Sequence, residues 1–398
     1  MFFNQKFFFQ KIPFYLTFLL PLFLVTGPFL PDLSISICAV IFLINSYKNK
    51  LHKYYKNYFF ILFIIFYLII VTSSLLSENI LFSLKTSALY IRFLFFSLST
   101  WYLLDQNTKL IKYLLFCFLI VFCFLIVDGL VQFHFGNNIF GYPYMHNRIS
   151  SVFKDELILG SYSVRSLPLF MALFYVHLSN HYLSVKLKIL FYSTFAGAVL
   201  LILLSQERTS FALLYLGVFY VLIFEIKLFW KPFLGMFLAS VIMIASIPAL
   251  QKRLIADTTI QIFNMQNDHS ERKQGLVFFS SLHEEHMTVA LRMFKDNPFF
   301  GVGPRMFKVK CHEPRYVKTK NSCTTHPHNI YMQLLAETGI IGFGYIFSLF
   351  IFFLLKSIKY FFTAKNLRED LHRIPKIFLL SFLFGTLFPI IPSGSFFN

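Results

Sequence analysis

The sequence is short of charge. Only 14% of its 398 residues are Asp, Glu, Lys or Arg, against about 25% in an ordinary soluble domain. Most of such a surface has to meet something other than water. Acidic residues are the scarcer kind, with 18 Asp and Glu against 36 Lys and Arg and a formal net charge of +18. That excess does not by itself indicate nucleic acid. No RNP motif, helix-turn-helix pattern or zinc-finger spacing accompanies it, so no nucleic-acid partner is expected. Cysteine is scarce as well, and Cys38, Cys117 and Cys123 fall in apolar runs, where a thiol is simply a small apolar side chain. No internal repeat and no low-complexity tract is evident beyond phenylalanine richness. No small-residue cleavage site follows the first apolar run. The N-terminus, with Lys6, Lys11 and then Pro13–Phe29, therefore reads as a retained first helix and not as a secretory signal.

What the sequence has is apolar length: 57% hydrophobic residues, 20% aromatic residues and a mean hydropathy of +0.65. A membrane-spanning helix needs about 20 mostly apolar residues, because the hydrocarbon core is about 30 Å thick. Candidate spans are Pro13–Phe29, Pro31–Tyr47, Tyr58–Leu75, Thr86–Leu104, Leu110–Phe133, Leu157–Leu178, Leu187–Leu204, Thr209–Ile226, Phe229–Pro248, Asn329–Leu355 and Ile377–Pro392. The expectation is an all-α polytopic membrane protein of about eleven transmembrane helices, or twelve, with one large extramembrane loop. Residues 1–248 hold helices 1–9 with short connections, 249–328 the large loop, and 329–398 the C-terminal helices.

Charge orients these spans. Lys48, Lys50, Lys53 and Lys56 lie in one connection, Lys109 and Lys112 in another, then Lys186 with Lys188, and Lys227 with Lys231. Lys356, Lys359, Lys365, Arg368, Arg373 and Lys376 fill the last. These are alternate connections, on the side of Lys6 and Lys11. Cytoplasmic loops collect Lys and Arg, so the N-terminus is expected in the cytoplasm. The 249–328 loop, the Phe135–Glu156 connection and the turn at Gln206–Arg208 are then expected outside. Within the loop, Glu271–Phe294 is amphipathic. Cys311 and Cys323, the two cysteines of this loop, either close a short bridge, which an oxidising exterior permits, or stay as free thiols.

The residues with most chemical content lie where the loop meets the next span. Thr325-His326-Pro327-His328-Asn329-Ile330-Tyr331 is followed by Gly339 and Gly342: His-Asn, nine residues, Gly, two residues, Gly. Upstream stands Met293-Phe294-Lys295-Asp296-Asn297-Pro298-Phe299-Phe300-Gly301-Val302-Gly303-Pro304, of the form F-x-D-x-P-x-x-G-x-G. Both stretches resemble hallmarks of the O-antigen ligases and the related O-antigen polymerases. The resemblance is weaker at Asp155–Tyr162 and Ser205–Thr209. It covers roughly residues 125–398, with the best matches in Leu291–Gly344.

The resemblance implies a metal-independent glycosyltransferase without a cofactor on the periplasmic face of the bacterial inner membrane. It would move a glycan from an undecaprenyl-diphosphate donor to lipid A-core. The rivals are a repeat-unit polymerase, whose acceptor is a second lipid-linked glycan, and, from another class, a flippase of lipid-linked sugars. The implied partners are the donor, one of these acceptors and membrane lipids.

Read from its chemistry, His328 offers a neutral imidazole that can take a proton near pH 7; the alternative is a helix cap. His326 reads as its neighbour. Arg208, at the outer end of a span, can grip diphosphate oxygens bidentately, or snorkel to the interface. Arg165 sits inside a span, where a charge is expensive and needs a polar cavity or a partner; the rivals are substrate binding and pairing with Glu156 or Asp155. Family members commonly carry an arginine about fifteen residues before the proline of the D-x-P turn, and here that position is His283. Arg272, Arg292 or Arg305 would then supply fixed charge, and Asn329 completes the expected substrate-binding set. His283 and His286, with an i, i+3 spacing, fall one residue short of the zinc-protease His-Glu-x-x-His pattern. They read as part of a solvated amphipathic helix, with no metal expected.

Overall fold

The computed structural model describes residues 7–145, 147–180, 182–263, 280–317, 319, 321–364 and 373–397. Arg272 lies outside the described residues, as does the first part of the amphipathic stretch. Among the described residues the regular structure is helical, apart from two isolated bridges, Asn137 with Pro143 and Met145 with Arg148. The α-helices are α1 (Ile12–Phe18), α2 (Leu20–Phe23), α3 (Phe29–Asn49), α4 (Tyr58–Leu75), α5 (Ile80–Gln106), α6 (Lys109–Phe135), α7 (Leu159–Asn180) and α8 (Val185–Leu204). They continue with α9 (Arg208–Ser246), α10 (Pro248–Gln251), α11 (Asp257–Ile262), α12 (Ser281–Asp296), α13 (Phe307–Lys310), α14 (Ile330–Ala364) and α15 (Arg373–Leu387).

Seven described helices, α3, α4, α5, α6, α8, α9 and α14, are long and apolar enough to cross a membrane. Every expected span falls on helix, but not one for one. The first is divided between α1 and α2, close to Pro21, which has no N–H to continue a helix. Helix α9 covers two expected spans in 39 residues and bends at Glu225, where φ is −137° and ψ 47°. At 1.5 Å per residue it is roughly 60 Å long, about twice the hydrocarbon thickness, so a bend is what two passes require.

The chain forms two compact units. The first comprises Met1–Phe42, Leu98–Ala256 and Lys356–Leu387. Here α7 packs on α8 and α15, and α6 packs on both α7 and α8. Phe122, Phe170, Phe174 and Phe191 fill the interior, with ring centroids 5.4 Å apart for Phe122–Phe170 and 4.7 Å for Phe174–Phe191. Tilted and edge-on rings at this spacing are favourable pairs, which gives phenylalanine a use beyond apolarity. At the bend of α9, Glu225 meets Arg373 at 2.5 Å. The same unit holds a cavity of about 350 Å³, almost wholly apolar, whose walls include Val164, Met171, Leu214, Val221, Phe233 and Phe378.

The second unit comprises Leu43–Ser97, Asp257–Leu355 and Phe388–Asn398. Asn57 caps α4 by accepting the Phe60 N–H at 2.8 Å, which fixes where the apolar run starts as helix. One core gathers Val289, Met293, Val302, Phe307, Tyr316 and Ala336, and a second gathers Phe66, Ile70, Tyr331, Leu334 and Phe397.

Candidate functional site

The site begins with a break in a helix. Within α14, Gly339 has φ 63° and ψ −164°, outside the helical region and in a range open to glycine. The broken turn frees backbone groups, and the Asn297–Pro304 turn takes them up. Ile340 N–H donates to the Pro298 carbonyl at 2.8 Å, Val302 N–H to Ala336 at 2.9 Å, and Gly303 N–H to Glu337 at 3.0 Å. The approach is too close for side chains. A Cβ on Gly339 would lie 2.3 Å from the Phe299 carbonyl, one on Gly301 2.4 Å from Glu337 backbone, and one on Gly303 2.7 Å from Ser77. These contacts supply the physical reason for both glycine patterns: the two motifs are halves of one interlocked joint.

Serines from α4 and α5 close the joint from behind. Ser73 donates to the carbonyls of Phe300 at 2.7 Å and Glu337 at 2.8 Å, Ser77 to Val302 at 2.8 Å, and Ser83 to Pro304 at 3.0 Å. The carboxylate of Glu337 is fully buried, accepting Phe307 N–H at 2.9 Å and the Gln333 amide at 3.0 Å. Each such bond contributes about 1 kcal/mol net, but leaving one of these buried groups unpaired costs more.

Upstream of the break, α14 starts under tight control. Asn329 caps it, its Oδ1 accepting the N–H groups of Tyr331 and Met332 at 3.0 Å, while its Nδ2 donates to the Pro389 carbonyl at 2.7 Å. The amide of Asn329, expected to bind substrate, is thus engaged at both ends within the protein. Asn329 also makes the cap that was the alternative role for His328. His328 itself has φ 56°, a left-handed conformation uncommon for a residue with a side chain. Its carbonyl accepts Ser393 N–H at 2.9 Å.

The His328 ring enters a cluster of imidazoles. Ring centroids lie 4.3 Å away for His326, 5.0 Å for His283 and 5.4 Å for His286. His283 and His286 share one face of α12, and the chain around Thr325–His328 brings the other two rings to it. Burial, followed by the mutual repulsion of the four rings when charged, holds His328 at about 4. The other three are also displaced below the ordinary 6.5, with burial as the leading cause. All four rings are therefore uncharged at neutral pH.

Cys311 and Cys323 are bonded, with Cα atoms 5.0 Å apart, and their loop is clasped to α12. Arg292 donates to the carbonyls of Tyr316 at 3.1 Å and Val317 at 3.3 Å, and Thr319 bonds to Glu285. This structural duty occupies one terminal nitrogen of Arg292. Arg305 is exposed, with φ 66°, and makes no contact with the imidazole cluster among the described residues.

Arg165 and Arg208 belong to the other unit, where Glu207 is the centre. It accepts the N–H groups of Gly160 at 2.7 Å and Ser161 at 3.0 Å, and the hydroxyls of Ser161 and Ser210 at 2.6 and 2.8 Å. It thereby satisfies the first turn of α7, where an anion is favoured. Its charge reaches Arg165, and among the described residues no ion pair joins Arg165 to Glu156 or Asp155. Arg148 stands 4.0 Å from Glu207 and donates to the Ser205 carbonyl at 2.9 Å. Its own burial pulls its pKa down, Glu207 opposes that, and Arg253 adds to it. Arg208 donates to the Arg253 carbonyl at 3.1 Å. One carboxylate thus stands among several guanidiniums. Sequence reasoning missed Arg148, Arg253 and Glu207; a carboxylate directly before Arg208 was the available signal for the last.

A chain whose described residues are mainly helical, with several helices able to cross a membrane, is a multi-pass membrane protein. Residues 193–347 match the family model described as O-Antigen ligase. This stretch contains Arg208, His283 and His328, so the resemblance carried by the two glycine motifs is borne out. No curated protein matches the chain at a significant level.

Proposed function

We propose that this protein is a glycosyltransferase of the O-antigen ligase kind, acting at the outer face of a bacterial inner membrane. The donor is a glycan on undecaprenyl diphosphate and the acceptor is lipid A-core. The observation that carries the reading is the uncharged His328 imidazole in a left-handed backbone at the start of α14, next to the family's motif. An acceptor hydroxyl attacks the anomeric carbon of the donor sugar and its proton passes to His328. The bond from that carbon to the diphosphate oxygen breaks, and the electron pair leaves with the diphosphate. Lipid diphosphate is itself a good leaving group, so the proposal involves no metal or cofactor.

Arg208 and Arg165, with Arg148, supply permanent charge for diphosphate oxygens. Guanidinium forks suit this task through paired N–H donors. The apolar cavity beside α7 and α9 has the chemistry of an isoprenoid segment. His283 can donate a ring N–H to phosphate but carries charge only when protonated, so it is a weaker candidate than the arginines.

The test is deletion of the gene, with lipopolysaccharide examined on a gel. Loss of O-antigen from lipid A-core, with polymerised lipid-linked glycan accumulating, is the expected result. A product capped with a single repeat would make the protein a polymerase, and unchanged lipopolysaccharide would refute both.

A further inference from the structure

A base needs more than an uncharged ring. The environment that holds the His328 pKa down at about 4 also makes it a weak proton acceptor. A histidine gains basicity, and a defined tautomer, when one ring nitrogen donates to a fixed acceptor. Among the described residues no protein group makes a hydrogen bond to the His328 ring, so the orienting partner has to be found among its neighbours.

Of the three imidazoles around it, His286 has its tautomer fixed by an unambiguous partner. Its Nε2 lies 3.0 Å from the Asn321 carbonyl oxygen. A carbonyl can only accept, so Nε2 carries the proton. In the neutral ring Nδ1 is then a bare lone pair, and it is buried without a hydrogen-bond partner. Buried polar atoms are rarely left this way, and each exception calls for an explanation. His326 also has a buried ring nitrogen without a partner, Nε2, but its Nδ1 faces the Thr325 hydroxyl at 2.9 Å, which can give or take a proton, so its tautomer is open.

We propose that His286 is the positioning residue of His328: its unprotonated Nδ1 accepts the His328 N–H, leaving the other His328 nitrogen to face the acceptor hydroxyl. This rests on the role proposed above for His328. The ring centroids are 5.4 Å apart with planes tilted by 36°, and two imidazoles joined by one N–H···N bond stand about 5 Å apart. Ring rotation and a small approach complete the bond. During transfer the acceptor proton adds to the free nitrogen of His328, the resulting cation keeps its other N–H on His286, and the proton leaves to water with the product.

Asn321 lies inside the loop closed by Cys311–Cys323, and that loop is fastened to α12 through Arg292 and Glu285. The bridge thus has a function: it fixes the carbonyl that fixes His286. The titratable groups of the surroundings are His283, Glu284 and Glu285 on α12, and His326 and His328 from the facing segment.

The test compares full-length wild type with His286→Asn, His286→Gln, His286→Ala and His328→Ala in nanodiscs, using labelled undecaprenyl-diphosphate glycan and lipid A-core. Gln keeps a donor toward Asn321 but loses the acceptor, whereas Asn keeps an acceptor near the Nδ1 position. Turnover should fall about 10- to 100-fold in the Gln and Ala variants, the scale typical of groups that orient a functional histidine. The donor KM should stay constant, and Asn should recover most of the rate. A Gln variant at the wild-type rate, or an Asn variant as damaged as Ala, overturns the proposal, and a wild-type rate in His328→Ala overturns the reading beneath it. Should every His286 variant misfold, ¹⁵N-histidine spectra of the wild type decide. A protonated His286 Nδ1 refutes the assignment, and an unprotonated one sustains it.

Discussion

Two polar clusters, one in each unit, solve the same problem in opposite ways. Around His328 four imidazoles pack ring to ring without a carboxylate between them, because all four are uncharged at neutral pH. Around Glu207 the guanidiniums cannot discard their charge, and one carboxylate has to serve Arg148, Arg165 and the first turn of α7 together. A cluster that can shed its protons has room for proton transfer, and one that cannot is suited to holding an anion. The first also stands on a rigid joint built from glycines and serines, whereas the second hangs on a single side chain.

Breaking the joint should have the largest effect. Gly339→Ala puts a Cβ 2.3 Å from the Phe299 carbonyl at a φ of 63°. The strain at such a backbone position alone is about 1–3 kcal/mol, and the clash adds to it. Folded protein recovered from membranes should be nearly absent, whereas Gly344→Ala, with nothing within 4 Å, should express as wild type. Equal yields would contradict the interlocked motif.

Removing the single carboxylate should come next. Glu207→Gln keeps hydrogen-bond acceptors but leaves the arginines unbalanced. A loss of about 3 kcal/mol is expected, the low end for deleting one partner of a buried pair, and thermal unfolding in detergent measures it. An unchanged unfolding temperature would show that Glu207 is not the centre of its cluster.

Arg208→Lys keeps charge but loses the fork. Donor binding in nanodiscs should weaken by about tenfold, a loss of about 1.4 kcal/mol, and unaltered affinity would remove Arg208 from the diphosphate site.

The smallest effects concern pH. Between about 4 and 6.5 the folded imidazole cluster binds fewer protons than the unfolded chain. Its contribution to stability is therefore complete above 6.5 and is lost as pH falls toward 4. For the wild type, kcat/KM should stay level through pH 6 and fall with an acid midpoint near 4, because this quantity reports the free enzyme. A midpoint at the ordinary 6.5 would mean that the base is some other, solvated histidine.

Much of the scaffold was legible in the sequence because hydropathy is a local property. Tyr58–Leu75 was expected and is found with the same bounds, since an uninterrupted apolar run starts directly after the capping Asn57. The bend at Glu225 falls where Lys227 and Lys231 marked a connection between Thr209–Ile226 and Phe229–Pro248, but that the helix runs on through it was not legible. Gly301, Gly303 and Gly339 were visible as a pattern, but their reason is the docking of segments about forty residues apart, and the serines that lock them were hidden in apolar spans. The imidazole cluster failed for the same cause. His283 and His286 read as a solvated face, because the loop that brings His326 and His328 over them is closed by contacts no periodicity records.

In the proposed reaction His328 moves a proton while other residues bind the donor. The direct measurement is labelled-donor binding and single-turnover transfer by His328→Ala in nanodiscs beside the wild type. Donor affinity should be unchanged and the transfer rate lower by about 10²–10⁴-fold, the range of general acid–base assistance. Transfer at the wild-type rate would contradict this role for His328.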